Sequence, residues 1–410
     1  MKQNPVKKVA NQGLLRDRNL ALVAQYLFNA AEPVSRADVA KATGMTRATA
    51  SRLIDELVDA GIVRELAPQP TTRRGRPSVP LAPATHFMAL GLEINVGRLA
   101  VRLVDLSGTV VSGAQAEGEF TGAKPQDVMA SLRPLVAQCI AVLPASATLA
   151  GIHLALPGLV DASNNRLLRA PNLKWNNIDI PLLMGMIDLP GLAGVAIHAS
   201  NEADASAFLA ARIAPGKHSN LDTFIYISGE VGIGSALVRR GQLETGSRGW
   251  AGEIGHMCVN SDGPACPCGA NGCLERYAGS QALLEHSSSK TLDELLVKLE
   301  QHDPHAVYAL SNAGRALGIA LANAANLLDV SNIVLGGVLG QFAKHLGPFI
   351  RSELDRRLLI RTFAEPKLLV LPPDRSSAAT GAAYVALERI LLDPAAWTTD
   401  TTDKEHVSST

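Results

Sequence analysis

Three of the five cysteines in this 410-residue chain lie within eight residues, and that cluster limits how the surrounding backbone can fold. Cys266, Cys268 and Cys273 follow His256, which stands ten positions before the first of them. Thiolate and imidazole groups suit Zn²⁺, and three cysteines with one histidine make a closed tetrahedral structural site. The alternative is a disulfide with bystander cysteines, but no secretory signal is seen and three cysteines leave one unpaired. The pattern therefore predicts a structural zinc ion held by these four residues.

Length and composition exclude several classes of protein. A chain of 410 residues with 47% hydrophobic residues predicts two or three domains with an ample core. No uncharged apolar run of about 18 residues occurs, so no membrane span is expected. The first residues lack the apolar segment of a secretory signal. We expect a cytoplasmic protein with no membrane partner.

The net charge of zero hides an uneven distribution of charge. Residues 1–80 hold 13 Lys and Arg against 7 Asp and Glu, whereas the remaining 330 residues hold 25 against 31. A small basic part on a large acidic part indicates nucleic-acid binding at the N-terminus. A solvated basic face would produce the same charge, so the residue pattern has to decide.

Hydrophobic periodicity predicts three helices and a strand in this basic part. A helix over residues 16–29 is followed by a short helix, which Ser35 and Asp38 cap and Gly44 ends. Thr46 caps a third helix with one apolar stripe, and residues 62–66 begin a strand. This is the pattern of a winged helix-turn-helix, whose third helix enters the DNA major groove. The outward-facing candidates for DNA contact are Arg47, Thr49, Ser51 and Arg52. A three-helix bundle with a basic surface is the alternative.

The segment after the predicted wing is rich in proline and arginine. Arg73, Arg74 and Arg76 lie in the run Thr-Thr-Arg-Arg-Gly-Arg-Pro. Arginines on such an arm can enter a narrow minor groove, where the negative potential is enhanced. A stiff, charged linker is the alternative.

From residue 86 onward short apolar strands alternate with helices. Strands are predicted at 88–95, 99–105, 109–111 and 149–156, with a helix at 125–143; a similar series has strands at 224–227, 236–239, 333–335 and 368–371 and a helix at 376–391. This repeated order predicts two similar α/β lobes with a cleft between them.

The cysteine cluster and the residues before it resemble the signature of the ROK family of repressors, open reading frames and kinases. The chain reads Gly-Glu-Ile-Gly-His, ending at His256, and later Cys-Pro-Cys-Gly-Ala-Asn-Gly-Cys-Leu-Glu. The resemblance covers residues 85–390 and implies an actin-like (ribonuclease-H-like) two-lobed α/β fold. The predicted organisation is an arm (1–15), a mostly α winged helix-turn-helix (16–67), a basic linker (68–84), the ROK domain (85–394) and a disordered tail (395–410).

Family resemblance also implies a sugar site in the cleft. Polar residues next to strand ends and glycines match positions that bind sugar hydroxyls in the family, and His256 would place one ring nitrogen on zinc and the other on sugar. The implied set is Asn172, Asn201, Glu202, Glu253, His256 and Glu275.

Three departures from the kinase members predict a protein that is not an enzyme. Kinases carry Asn-Asp-Ala-Asn with Asp as the base, whereas this chain has Glu202, which misplaces the carboxylate. Asn95 and Val96 stand where a first phosphate loop needs small residues, and Glu230 and Val231 replace Gly-Thr in a second.

These observations predict a sugar-responsive transcriptional repressor of carbohydrate metabolism. Its expected partners are operator DNA, a sugar or sugar phosphate effector, and copies of itself in a homodimer or homotetramer that matches palindromic half-sites. One alternative is an ATP-dependent sugar kinase fused to a DNA-binding domain. Another is a repressor controlled by a protein partner.

Overall fold

The structure is a computed structural model that describes residues 12–68, 79–359, 365–371 and 377–398. The predicted minor-groove residues Arg73, Arg74 and Arg76 lie outside these ranges. The helices are α1 (Gln12–Asn29), α2 (Arg36–Thr43), α3 (Arg47–Asp59), α4 (Pro125–Ile140), α5 (Ile180–Gly185), α6 (Glu202–Ala210), α7 (Glu275–Ala278), α8 (Ser280–Ser287), α9 (Leu292–Glu300), α10 (Pro304–Leu328), α11 (Gly337–Gln341), α12 (Ala343–Arg357), α13 (Ser377–Leu392) and α14 (Ala395–Thr398). None of the described helices is long and apolar enough to span a bilayer.

The described residues also form eighteen strands. They are β1 (Val34–Ser35), β2 (Val63–Glu65), β3 (Pro80–Pro83), β4 (Phe87–Ile94), β5 (Arg98–Asp105), β6 (Val110–Glu117), β7 (Thr148–Leu156), β8 (Leu159–Asp161), β9 (Arg166–Ala170), β10 (Trp175–Asp179), β11 (Ile197–Asn201), β12 (Arg212–Ala214), β13 (Lys217–His218), β14 (Phe224–Gly229), β15 (Ile233–Arg239), β16 (Gln242–Leu243), β17 (Asn332–Gly336) and β18 (Lys367–Val370).

The first three helices form as their local sequence predicts. Ser35 and Asp38 make a complete capping box at α2, and Gly44 ends that helix with φ of 71°. Thr46 accepts a hydrogen bond from the backbone N–H of Thr49 at the start of α3. Ala42, which the periodicity places inside, is exposed, and its neighbour Ala40 is buried instead.

The wing contains a strand that the sequence analysis assigned to the linker. β3 lies between β1 and β2 in a three-stranded antiparallel sheet, and Leu81 at its centre is buried. Pro80 and Pro83 stand at the ends of β3, where a missing N–H costs the ladder little. The linker expected over 68–84 therefore ends before residue 80, and the helix-turn-helix unit is closed by a strand from beyond the basic segment.

Two five-stranded sheets with the same topology form the body. In lobe I the order is β11-β7-β4-β5-β6, and in lobe II it is β18-β17-β14-β15-β16. Each sheet pairs three antiparallel strands with two strands that run parallel to the central one. The predicted repeat of the α/β pattern is thus present, with separate hydrophobic cores in the two lobes.

Helix α13 returns from lobe II and packs against lobe I. A Cβ at Gly91 of β4 would overlap the carbonyl oxygen of Ala379, and a Cβ at Gly381 would overlap that of Ala205 in α6. These glycines let α13 lie directly on the sheet and on α6. The N-terminus of α6 therefore sits at the cleft, while its other end points towards the winged helix.

The winged helix shares a hydrophobic core with lobe I. Phe28 of α1 belongs to one buried cluster with Phe87, Leu387 and Leu391. Helix α14 begins the predicted disordered tail, and its Trp397 packs edge-on against Phe87 at 5.2 Å between ring centroids. The tail prediction is wrong for residues 395–398, because an aromatic side chain can anchor a short segment that polar composition alone would leave loose. Residues 399–410 lie outside the described part of the chain.

Candidate functional site

A cavity of about 260 Å³ lies between the two lobes. Lobe I contributes the ends of β7 and β11 and the start of α6, and lobe II contributes the turn between β14 and β15 and the loop after β16. All six residues of the predicted sugar set line this cavity: Asn172, Asn201, Glu202, Glu253, His256 and Glu275. Tertiary structure thus brings together side chains that are up to a hundred positions apart in the sequence.

Asn201 is held in place by hydrogen bonds within the protein. Its Oδ1 caps α6 by accepting from the N–H of Ala203 at 2.7 Å, and its Nδ2 donates to the carbonyl of Gly158 at 2.9 Å. The carboxamide joins the start of α6 to the turn after β7. Its position is therefore fixed before any ligand arrives.

Glu202 begins α6 and is bound by a residue from the turn between β4 and β5. Its Oε2 accepts from Asn95 Nδ2 at 2.7 Å. Burial, followed by the nearby Glu93 and Glu230 carboxyls, raises the pKa of Glu202 to about 8. Much of the Glu202 population is therefore protonated at neutral pH, and it does not carry the full charge of an exposed carboxylate.

An ion pair and two residues of the predicted first phosphate loop lie near this end of the cleft. Glu93 forms a buried ion pair with Arg98, and burial raises the pKa of Glu93 to about 7. Val96 lines the cavity but is 4% exposed and belongs to the core of lobe I, so it is less of an obstruction than the sequence suggests. Asn95 also stands at this end of the cleft, where its amide donates to Glu202.

Asp204 is a carboxylate of the cleft that sequence reasoning missed. It lines the cavity from the first turn of α6 and is 7% exposed. Burial, followed by the nearby Glu253, raises the pKa of Asp204 to about 7. The sequence signal for Asp204 was the last residue of the Asn-Glu-Ala-Asp segment. The kinase motif has Asn at that position, whereas this chain has Asp.

On the lobe II side, Glu275 and Glu253 approach the cavity from separate segments. Glu275 Oε2 accepts from the backbone N–H of Ile233 at 3.2 Å. Glu253 Oε2 lies 3.9 Å from His256 Nε2, and burial raises the pKa of Glu253. The predicted second phosphate loop, with Glu230 and Val231, forms the adjoining wall.

The four predicted metal ligands converge. One ligand atom from each of His256, Cys266, Cys268 and Cys273 lies within 4.8 Å of every other. Cys268 Sγ is 3.6 Å from Cys273 Sγ, and Cys266 Sγ is 3.8 Å from His256 Nδ1. A tetrahedral ion with Zn–S bonds of ~2.3 Å needs edges of roughly 3.8 Å, so the spacing fits. A disulfide requires ~2.0 Å, and all five cysteines are free.

The thiols of this cluster are too close to ionise together without a cation. Burial, followed by the neighbouring Cys268 and Cys266 thiols, raises the pKa of Cys273 to about 12. The backbone around them turns at Gly269 and Gly272, whose φ values of 102° and 66° few other residues adopt. The cluster meets the cleft at His256, because Nδ1 faces the cysteines and Nε2 faces Glu253.

The predicted DNA-contact residues lie on the outer face and first turns of α3. Arg47 is exposed and makes no ion pair with any described residue. Arg52 is exposed but pairs with Glu56 at 2.8 Å, and Thr49 shares a hydrogen bond with Thr46. Ser51 is half-buried, with its carbonyl bound by Arg36. Of the two arginines in this set, Arg47 is therefore the one that no described acidic residue holds.

Known protein families match both the winged helix and the two-lobed body of this chain. The model described as the ROK family matches residues 89–389, and the model described as the MarR family matches residues 26–75. The xylose repressor of Bacillus spizizenii is 26% identical over 93% of this chain and 98% of its own length. The DNA-binding transcriptional dual regulator NagC of Escherichia coli is 26% identical over 89% of this chain and 96% of its own length.

Solved structures show the same architecture. A ROK family transcriptional regulator, a homologue of the E. coli MLC protein, is 25% identical with a TM-score of 0.76, covering 92% of this chain and 97% of its own. The match to a ROK family glucokinase from Streptomyces griseus, in complex with glucose and AMPPNP, covers 73% of this chain and 98% of the glucokinase. Its TM-score is 0.62 at 23% identity, and this likeness shows the fold alone. These likenesses confirm the predicted winged helix-turn-helix and two-lobed α/β body.

Proposed function

The chain belongs to the ROK family, and from that premise we propose that it is a sugar-responsive, DNA-binding transcriptional repressor of carbohydrate-metabolism genes. The observation that carries this proposal is that a winged helix and a polar cleft share one packed body. Phe28 of the winged helix and Leu387 of α13 belong to the same buried cluster, and α13 lies on α6, whose first residues line the cleft. Likeness along nearly the whole chain to a xylose repressor and to the dual regulator NagC supports the same function.

The effector domain is proposed to bind sugar without phosphorylating it. Asn95 holds Glu202 through a hydrogen bond at the place where phosphate would have to approach, and Glu230 adds a second carboxyl nearby. Phosphoryl transfer needs an ionised base and loops that neutralise phosphate charge. The Glu202 carboxyl is already engaged by Asn95, and the acidic loop beside it would repel phosphate.

Zinc is proposed as the structural metal of the cysteine cluster. His256, Cys266, Cys268 and Cys273 would hold it, and the bound ion would fix the loop and the His256 tautomer. With Nδ1 on the metal, Nε2 carries the proton and can donate to a sugar oxygen. We expect about one zinc ion per chain, and Cys268→Ser should lower both zinc content and thermal stability; full stability after chelation would contradict the assignment.

DNA binding is assigned to the winged helix, with Arg47, Thr49, Ser51 and Arg52 on α3 and Arg73, Arg74 and Arg76 on the basic segment as the contact residues. A homodimer or homotetramer would present two recognition helices to palindromic half-sites. The domain limits proposed from the sequence are kept, except that the helix-turn-helix unit begins with α1 at Gln12 and includes β3, and the ordered body includes α14.

One experiment tests the function as a whole. Duplex DNA selected by the protein from a random-sequence pool is labelled, and its binding is followed by fluorescence anisotropy with and without hexoses, pentoses, N-acetyl sugars and their phosphates. We expect at least one sugar to change the DNA affinity, while a coupled assay detects no sugar-dependent ADP. Release of ADP at ordinary kinase rates, on the order of 1–100 s⁻¹, would favour the fused kinase. An unchanged DNA affinity with every sugar would favour a protein partner as the signal.

A further inference from the structure

The hydrogen-bonding groups that the cleft offers a ligand are mostly acceptors. Glu202, Asp204, Glu230, Glu253 and Glu275 place five carboxyl groups on its walls. The amide donors nearby are largely used within the protein: Asn95 Nδ2 donates to Glu202 and Asn201 Nδ2 to Gly158, while Ser235 Oγ donates to the Gly252 carbonyl. A ligand that supplies donors of its own is therefore favoured.

Positive charge is scarce at the same surface. Among the described residues that line the cavity, Arg169 is the one arginine or lysine, and it lies exposed at the rim. Arg98 lies close to Glu202 and Glu230 but is committed to Glu93. His256 turns Nδ1 towards the cysteines. The deep part of the cleft thus has no uncommitted cation with which to pair an anionic ligand.

Resting on the proposed function, we infer that the effector is a single uncharged monosaccharide, that phosphorylated sugars are excluded, and that Asp204 is the residue that enforces this selection. Each hydroxyl of a sugar carries a donor as well as acceptor lone pairs, which complements a wall of carboxyl oxygens. A phosphate ester carries about −1.5 to −2 charges at neutral pH and offers acceptors. Its burial among carboxyls, with no uncommitted cation to pair with it, would be opposed by like charge from those that are ionised and by unmet acceptors.

The size of the cavity agrees with a single sugar ring. A volume of about 260 Å³ lies near the lower end of the ~300–1,000 Å³ range of small-molecule sites. A cavity of this size suits a ligand as small as one pyranose ring. Arg169 at the rim is the one place where a phosphate could find a partner, so it defines the opposing outcome of the test.

Asp204 is singled out because its side chain has no other use in the described structure. It accepts no hydrogen bond from any described residue, whereas Glu202 is bound by Asn95 and Glu275 by Ile233. It stands on the rigid first turn of α6, at 7% exposure, with its carboxyl on the cavity wall. A short carboxyl fixed on a helix can accept from one or two hydroxyls without reorganising, which is how a buried polar site discriminates strongly between ligands.

Calorimetric titration of the full chain with matched pairs tests the inference. The probes are glucose and glucose 6-phosphate, N-acetylglucosamine and its 6-phosphate, and xylose and xylose 5-phosphate. We expect the free member of at least one pair to bind, with its phosphate about a hundredfold weaker or undetectable. Asp204→Asn keeps the shape of the side chain and removes its charge. It should weaken binding of the free sugar about tenfold and reduce the difference in affinity between the free sugar and its phosphate.

The control is Asp127→Asn, which removes one negative charge from an exposed site in α4 outside the cavity. It should leave both affinities unchanged, and circular dichroism should show both variants folded. A phosphate ester that binds as tightly as its parent sugar, with affinity lost in Arg169→Ala, would overturn the inference and leave the repressor function standing. If Asp204→Asn and the wild type show the same ratio of affinities for the free sugar and its phosphate, Asp204 does not determine the selection. If no sugar or phosphate binds and none alters DNA affinity, the proposed function fails together with the inference.

Discussion

Single residues in the cleft illustrate how burial changes the chemistry of a carboxyl group. Glu93, Glu202 and Asp204 are ordinary acids in the sequence, but burial raises the pKa values of all three, to between about 7 and about 8. A residue that would be charged on the surface is thus partly protonated here. A protonated carboxyl group can donate a hydrogen bond as well as accept one.

The raised pKa of Glu202 predicts a stability that depends on pH. An unfolded glutamate titrates near pH ~4.3, so between about pH 4.3 and 8 the folded protein holds a proton that the unfolded chain has lost. The stabilisation is fully present below that window and is lost as the pH rises through it. Urea unfolding at about pH 5 and at about pH 8, near the two ends of this window, should show lower stability at the higher pH.

Glu202→Gln should reduce that difference by on the order of 2 kcal/mol, because a glutamine has no proton to lose. Glu93 and Asp204 keep part of the effect in this variant, since their pKa values are also raised. A wild-type protein that is equally stable, or more stable, at the higher pH would contradict the protonated state of these acids.

At the scale of elements, the recognition helix combines strong local signals with competing contacts. Thr46 caps α3, and Leu53, Ile54 and Leu57 hold its inner face in the shared core. On the outer face, Glu56 pairs with both Arg16 and Arg52. The acid therefore competes with DNA phosphate for Arg52, whereas Arg47 carries no such constraint among the described contacts.

We predict different effects for the two arginines of α3. Arg47→Ala should cost about 1–3 kcal/mol of binding to the selected DNA and relax base preference at one position. Arg52→Ala should weaken binding about equally on all sequences and lower the salt slope by about one. Both are measured by anisotropy titrations against the selected duplex and a scrambled duplex at several salt concentrations.

The matched control for Arg52 is Glu56→Gln, which removes its partner and should strengthen DNA binding, because the guanidinium no longer leaves an ion pair. Loss of base preference in Arg52→Ala, with none in Arg47→Ala, would reverse the assignment of the two roles.

At the scale of the whole molecule, the winged helix is attached to lobe I by packing and by hydrogen bonds. The β12–β13 hairpin reaches the end of α1, where Lys217 Nζ donates to the Ala31 carbonyl and the His218 N–H donates to Asn29 Oδ1, both at 3.0 Å. The same hairpin begins at Arg212, which forms an ion pair with Glu388 of α13. DNA-binding and effector parts are thus joined by more than a linker.

This arrangement predicts that the winged helix and lobe I unfold together. Phe28 is 2% exposed in the shared core, so Phe28→Ala should destabilise the protein by about 3–5 kcal/mol. Leu22→Ala on the same helix is the control, because Leu22 is 46% exposed and should change stability by about 0.5 kcal/mol or less. Scanning calorimetry should show that Phe28→Ala lowers the midpoint temperature of the transition in which lobe I unfolds. A separate low-temperature transition confined to the winged helix would show that the two parts are independent.

Local chemistry accounts for what the sequence by itself determined. Helix caps at Ser35 and Thr46, the apolar stripe of α3, the strand pattern of both lobes and the metal-ligand spacing all depend on residues close together in the chain. Such signals act through hydrogen bonds and periodicity within a few turns, so they can be read without tertiary contacts. The family signature then linked these elements to a two-lobed fold and a sugar cleft.

Only the tertiary structure decided which distant residues share a site and which segments pack. β3 closes the wing from beyond the basic segment, Trp397 anchors α14 on Phe87, and Asp204 reaches the cleft beside Glu253. Asn95 acquires its role from contact with Glu202, 107 positions away. These outcomes depend on strand pairing and core packing between segments far apart in the chain, which local propensity does not encode.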